Sequence, residues 1–213
     1  MYFRPMEELG IEIHILVGNH DVYFKNTNEV NTIELMLSEF SNIVTYSKPT
    51  DIEMYDTSLS MLPWICSGNY EQSMEFIKNT KSQILFGHLE LNGFEMYRGV
   101  IGSSHGLESS LFEKFDLVFS GHYHHRSTRG NITYLGAPYE MTWSDFGDER
   151  GFHVLDLETR AIEYFECKRK MFHKLVYDDT EMTLDDIVDT DFSSLENCFV
   201  KVIVKNKTNP YWF

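Results

Sequence analysis

An α/β fold built from two packed sheets with helices outside is what this sequence predicts, on three observations. Apolar runs at residues 11–17, 84–86 and 117–119 read as buried strands, and each runs into a glycine followed by polar residues: GNHD (18–21), GHLE (87–90) and GHYHH (121–125). Strand and helix signals alternate up to residue 121. From residue 131 onward the signals are strand, turn, strand. An alternating half followed by an all-β half suggests two sheets packed face to face.

The elements follow in order. Residues 1–10 resemble the last turns of a helix feeding the first strand. Val30, Ile33, Leu37 and Phe40 recur at helical spacing, and Asn31 stands three residues before Glu34 as a capping pair. Short strands are expected at 43–46, 52–55 and 58–62. YEQSMEFIKN (70–79) predicts a helix, QILFG (83–87) a strand, GLESSLFEKF (106–115) a helix, and DLVFSG (116–121) a strand. NITYLG (131–136), GFHVLDLET (151–159), AIEYFE (161–166), KMFHKLVY (170–177) and CFVKVIVK (198–205) read as strands, with a sharp turn at 158–160 forming a hairpin. The strand at 198–205 has nothing after it and needs a partner, since an open final edge is a liability. Both ends therefore suggest a piece of a longer protein.

A chain of 213 residues, 42% hydrophobic, can bury a sizeable core, and no Ser/Gly/Pro-rich linker divides it. The net charge of −15 argues against a protein that coats phosphate backbones non-specifically. Seven acids (Asp178, Asp179, Glu181, Asp185, Asp186, Asp189, Asp191) fall in YDDTEMTLDDIVDTD (177–191), which has no Lys or Arg. This segment reads as a solvated acidic linker with a short helix around 184–188. Cys66, Cys167 and Cys198 form no CxxC and support neither a disulfide framework nor a zinc knuckle. With no signal-peptide pattern and no long apolar run, a reduced, cytoplasmic protein without membrane association is expected.

Taken singly, the three polar exits have plain explanations: Gly, Asn and Asp all favour turns, and GHLE is weaker still. GHYHH is stronger, because alternate residues of an extended stretch share a side, placing His122 with His124 and turning His125 away. Strand exits in open α/β sheets converge, so the ordered set is more specific than any member. His14 and His105 read as structural, Arg126 and Arg129 as solvated loop charges, and PYEMTWSDF (138–146) as packing rather than a base-stacking surface.

The ordered set GNHD, GHLE, GHYH resembles the calcineurin-like metallophosphoesterases. HILVGNHD, GHLELNGF, SHGLE, SGHYH, YLGAPYEMTW and RGFHVLDLET together resemble the SbcD-type nucleases within that superfamily, nearest to the recombination endonuclease subunits of T-even-type phages. The resemblance implies an α/β/β/α metallophosphoesterase sandwich, here without its first strands, and a DNA nuclease with two manganese ions acting in recombination and double-strand-break repair. It implies an SMC-like, SbcC-type ATPase partner, leaves homodimerisation open, and assigns residues 1–177 to the nuclease domain. Residues 178–213 become an acidic linker and the first strand of a capping domain. Carried over by motif, Asn19, His88 and His122 would hold one metal and His124 the second; His20 would act near the leaving group, oriented by Asp21.

The family's DxH and GDxxD motifs occur nowhere in these residues. They would supply most ligands of the second metal and the bridging carboxylate. What remains is a neutral set, whereas manganese prefers carboxylate oxygens. The chain alone is therefore expected to bind manganese weakly at one position and to hydrolyse phosphodiesters negligibly. Two other readings stand beside this one: a phosphoesterase for nucleotides or phosphoproteins, and a noncatalytic scaffold.

Overall fold

The alternating half folds around a six-stranded mixed sheet in the computed structural model, which describes residues 3–102 and 105–208. Its strands are β3 (Thr50–Met54), β4 (Thr57–Leu62), β5 (Ile84–Gly87), β8 (Leu117–Ser120), β9 (Ser127–Arg129) and β10 (Ile132–Tyr134), in the order β3-β4-β5-β8-β10-β9. The four inner strands run parallel, and β3 and β9 close the edges antiparallel. Separate two-stranded ladders come from β1 (Ile13–Leu16) with β2 (Ile43–Tyr46), β6 (Glu95–Tyr97) with β7 (Val100–Ile101), β11 (Gly151–Leu155) with β12 (Ile162–Glu166), and β13 (Phe172–Asp178) with β14 (Phe199–Lys205).

Parallel strands are covered on both faces, which is why the inner ones read as continuous apolar runs. On one face Leu85, Val118 and Ile132 pack with Phe112, Phe115 and Ile77 of the helix α3 (Tyr70–Asn79). On the other, Leu59, Ile84 and Phe119 meet Leu155 and Leu157 at the end of β11. A short helix α1 (Phe3–Glu8) precedes β1, and the helix α2 (Thr32–Leu37) starts where the capping pair places it, with Glu34 N–H donating to Asn31 Oδ1 at 2.8 Å. The hairpin of β11 and β12 turns through Arg160 at φ +60°.

Two expectations are corrected. Residues 106–115 form only a 3₁₀ turn, Ser109–Phe112, because Phe112 and Phe115 are buried at a three-residue spacing and both their carbonyls accept from the Asn131 amide. The strand at 198–205 does have a partner: β14 lies parallel to β13 in unbroken register from Phe172↔Phe199 to Asp178↔Lys205. The short β6–β7 ladder and β9 were not anticipated.

The acids of 177–191 tie off turns. Asp178 accepts from Thr180 and Asn206, Asp186 from Thr183 at the start of the helix α4 (Leu184–Val188), and Asp191 from Ser193. The three cysteines are free thiols, and no helix among the described residues is long and apolar enough to cross a membrane.

One buried hydroxyl fixes the exit of β5. Tyr134, fully buried, accepts at its Oη from Leu91 N–H (3.0 Å) and donates to the Leu89 carbonyl (3.0 Å), while Ser120 Oγ accepts from Leu89 N–H (2.9 Å). Tyr134→Phe leaves both backbone groups unpaired in the core, and should lower stability by about 2 kcal/mol in urea denaturation.

Candidate metal centre

Register brings the three motifs together. Leu62, Gly87 and Ser120 lie side by side at the ends of β4, β5 and β8. Beyond them Trp64 N–H donates to Val17 C=O (2.8 Å), His88 N–H to Leu62 C=O (3.1 Å) and Gly121 N–H to Gly87 C=O (3.0 Å). The residues after each strand are thus held by backbone bonds to a neighbouring exit. Gly18 is required by close approach: a Cβ there would lie 2.7 Å from Cε1 of His88.

Asn19 is the hub. Its Oδ1 lies 3.0 Å from His88 Nε2 and 3.3 Å from His122 Nδ1, and the two imidazoles meet edge to face at 5.1 Å between centroids. His122 reaches this point from a left-handed backbone, φ +78°, a strained conformation for a non-glycine residue and one that marks functional sites. The stretch is therefore bent, not extended, yet His122 and His124 still line one cavity of about 430 Å³ with Asn19, His20, His88 and Tyr97. His20 is exposed at its edge. The Asp21 carboxylate accepts from Gly18 N–H at 2.7 Å, bracing the loop under Asn19; among the described residues no hydrogen bond joins it to the His20 ring.

His124 is held by a network that sequence reading missed. Its Nδ1 lies 3.2 Å from Asp145 Oδ1, and Tyr97 packs edge-on against the ring at 5.4 Å. Asp145 is fully buried; burial works to raise its pKa, but the N–H groups of Met141 and Thr142, with Arg150 and His124, outweigh it and hold the carboxyl below its usual value. A carboxylate only accepts, so His124 Nδ1 is the donor in this hydrogen bond and the ring is oriented by it. Arg150, 1% exposed, donates to Asp145 (3.0 Å), to Asp148 (3.1 Å) and to the His124 carbonyl. Asp148 in turn binds His125 Nδ1 at 2.9 Å, giving that ring a structural task. Part of this was legible, since Thr142-x-x-Asp145 has capping-box spacing and forms one.

The donor set suits one cation. Octahedral ligands with bonds of ~2.1 Å stand roughly 3 Å apart, close to the distances of His88 Nε2 and of His122 Nδ1 from Asn19 Oδ1. Burial, with the nearby rings of His122 and His20, pushes His88 down to about 3; burial likewise lowers His122 against the opposing field of Glu90. Both rings are therefore neutral at pH 7. A second position is not assembled from these residues: no three His, Cys, Asp or Glu side chains among the described residues converge on one point. His124 faces the same cavity without a companion ligand.

Two measurements probe this arrangement. A histidine depressed in the folded state destabilises the fold wherever the unfolded chain is protonated and the folded ring is not. Stability should therefore fall as pH drops from about 6.5 toward 3, with His88 alone contributing about 2 kcal/mol of loss between pH 7 and pH 5. Urea denaturation at the two pH values should show this loss, reduced in His88→Gln. Arg150→Met strands two buried carboxylates and should cost about 3 kcal/mol or more by the same assay.

Comparison with known proteins completes the picture. No family model matches the chain. Exonuclease subunit 1 of Enterobacteria phage T4 is 33% identical over 201 residues, covering 94% of this chain and 57% of that protein. The SbcD subunit of the SbcCD nuclease of Staphylococcus epidermidis is 28% identical over 187 residues, 73% of this chain and 48% of that protein. Its counterpart from Staphylococcus saprophyticus is 31% identical over 94 residues, 41% of this chain and 25% of that protein. The chain spans about half the length of the first two relatives. By sequence, the chain is related to the phage exonuclease subunit and to the SbcD-type nuclease subunits.

Proposed function

We propose that this chain is part of a metal-dependent DNA nuclease subunit that hydrolyses phosphodiesters during recombination and repair. The observation that carries the proposal is that His88 Nε2 and His122 Nδ1 both lie within 3.3 Å of Asn19 Oδ1, in the cavity that the exposed His20 also lines. Asn19, His88 and His122 would hold one divalent cation, manganese by the family resemblance, and His124 would contribute to a second. A cation there supplies Lewis-acid polarisation of a phosphoryl oxygen. His20 stands at the cavity edge to protonate the leaving oxygen, with Asp21 fixing its loop through Gly18. Neutral rings leave room for an anionic substrate. The names of the relatives describe subunits of larger nucleases, which supports an SbcC-type ATPase partner and an assembly on DNA.

The uncharged donor set favours a second reading, a noncatalytic scaffold that keeps the fold. Calorimetry with manganese on the 213-residue chain separates the two. One weak site, lost in Asn19→Ala and in His88→Ala, is expected for the nuclease reading, with DNA hydrolysis near background because the carboxylates of a second site are not in these residues. No manganese binding at all would favour the scaffold. Two tight sites would refute the single-site assignment.

A further inference from the structure

The loop after Asp21 carries a feature that phosphoryl chemistry does not use. Tyr23 is 78% exposed and Phe24 51% exposed, with ring centroids 4.7 Å apart, edge to face. Adjacent aromatics left in solvent would be unremarkable on a loose loop, but this loop is fastened at both ends. Tyr23 N–H donates to Val30 C=O (3.0 Å), Thr32 N–H donates to Asp21 C=O (2.8 Å), and Val22 bridges to Asn31. Gly68 N–H donates to Asn26 C=O at 3.0 Å, so close a seat that a Cβ at 68 would lie 2.3 Å from that oxygen. The rings are therefore presented by fixed backbone.

The next residue adds a cation, tied to the backbone of Asn19, with a third aromatic beside it. Lys25 is exposed; its Nζ donates to the Asn19 carbonyl at 2.5 Å and sits 5.9 Å from the centroid of the Trp64 ring. Trp64, half-buried, is pinned through its carbonyl by the amides of Asn28 (2.8 Å) and Asn69 (3.0 Å). Arg126 and Arg150, the other cations near the cavity, are engaged by Glu149 and by Asp145 and Asp148. Lys25 pairs with no carboxylate among the described residues, so its charge stays available for a phosphate.

We propose that Tyr23, Phe24, Lys25 and Trp64 form a subsite for unpaired nucleotides next to the scissile phosphate, selecting DNA that is single-stranded on that side of the cavity. The inference rests on the phosphodiester reading of the neighbouring site. Bases in a duplex are stacked on one another and offer no free face, whereas an unpaired strand offers a face to each ring and a phosphate to the ammonium group. The chain is strongly acidic overall, so stacking and one well-placed cation, not a broad positive field, must supply the affinity.

The test is fluorescence anisotropy of a labelled short oligothymidylate and of a blunt duplex of equal length, on the 213-residue chain at low salt. The single strand should bind at least about fivefold more tightly than the duplex. The double variant Tyr23→Ala, Phe24→Ala should lose about tenfold for the single strand and less than about twofold for the duplex. Lys25→Gln, a surface change that leaves the rings in place, should weaken single-strand binding and reduce the salt slope by about one. Equal affinity of parent and double variant for the oligothymidylate would overturn the proposal, as would no measurable binding by the parent or a preference for the duplex; the rings would then be a protein-docking surface. Manganese calorimetry on the same samples keeps the two ideas apart. Aromatic-dependent DNA binding without a metal site would sink the phosphodiester reading alone, and a metal site with ring-independent DNA binding would sink only this subsite.

Discussion

The structure depends on three parallel strands that stop at the same level. Leu62, Gly87 and Ser120 stand in register across β4, β5 and β8; His88 and His122 follow the last two within two residues, and Trp64 after β4 holds the segment before Asn19 through its N–H bond to the Val17 carbonyl. Side chains alternate with a period of two along a strand, so a slip of one residue in β5 or β8 would displace His88 or His122 from Asn19 while exchanging the residues packed in the two apolar clusters, Leu85 for Ile84 or Val118 for Phe119. The core and the site are thus guarded by one constraint. Burial on both faces supplies most of the energy for it, and the hydroxyls of Tyr134 and Ser120 add direction, since they bind the exit of β5 at Leu89 and Leu91 and at no other register.

The electrostatics of the site follow from what surrounds it. The protein is acidic, yet the atoms that meet at Asn19 are neutral, and burial keeps His88 and His122 so. The carboxylates of Asp145 and Asp148 share the buried guanidinium of Arg150 and spend their remaining lone pairs on His124, His125 and backbone N–H groups. Their charge positions imidazoles and does not project freely into the cavity. A phosphate can approach such a surface without strong repulsion. The same neutrality weakens the hold on a hard cation, which prefers anionic oxygen.

The sequence was most readable where one physical cause acts alone. Apolar runs such as 84–86 and 117–119 had to be buried strands, and polar residues packed directly after glycine had to sit at their exits, so Asn19, His88, His122 and His124 could be found by eye. Legibility failed where spacing has two meanings or where partners are remote. Phe112 and Phe115 fit an α-helix or a 3₁₀ turn equally well, and the Asn131 amide, distant in sequence, decides between them. Arg150 shows nothing in its neighbours to mark it as the residue that secures His124, because its role exists only once residues 124, 145 and 148 are folded together. His122 likewise reached the expected place by an unexpected route, through a left-handed bend in place of strand alternation.

A common device recurs around the cavity: a buried polar side chain that binds the backbone of a loop bearing functional groups. Tyr134 does this for the residues after His88; Asn28, helped by the half-buried Asn69, does it for Trp64; and Arg150 does it for His124. Loops ordinarily carry unsatisfied backbone groups that water must solvate, and they move accordingly. Here the side chains take the place of that water, so the loops are fixed before any ligand arrives and a ligand need not supply the ordering entropy itself. Outside these clamps His20, Tyr23, Phe24 and Lys25 remain exposed, and under the proposed function selectivity would fall to them. The division is physical: burial decides which polar groups build the site, and exposure decides which ones an approaching molecule can reach.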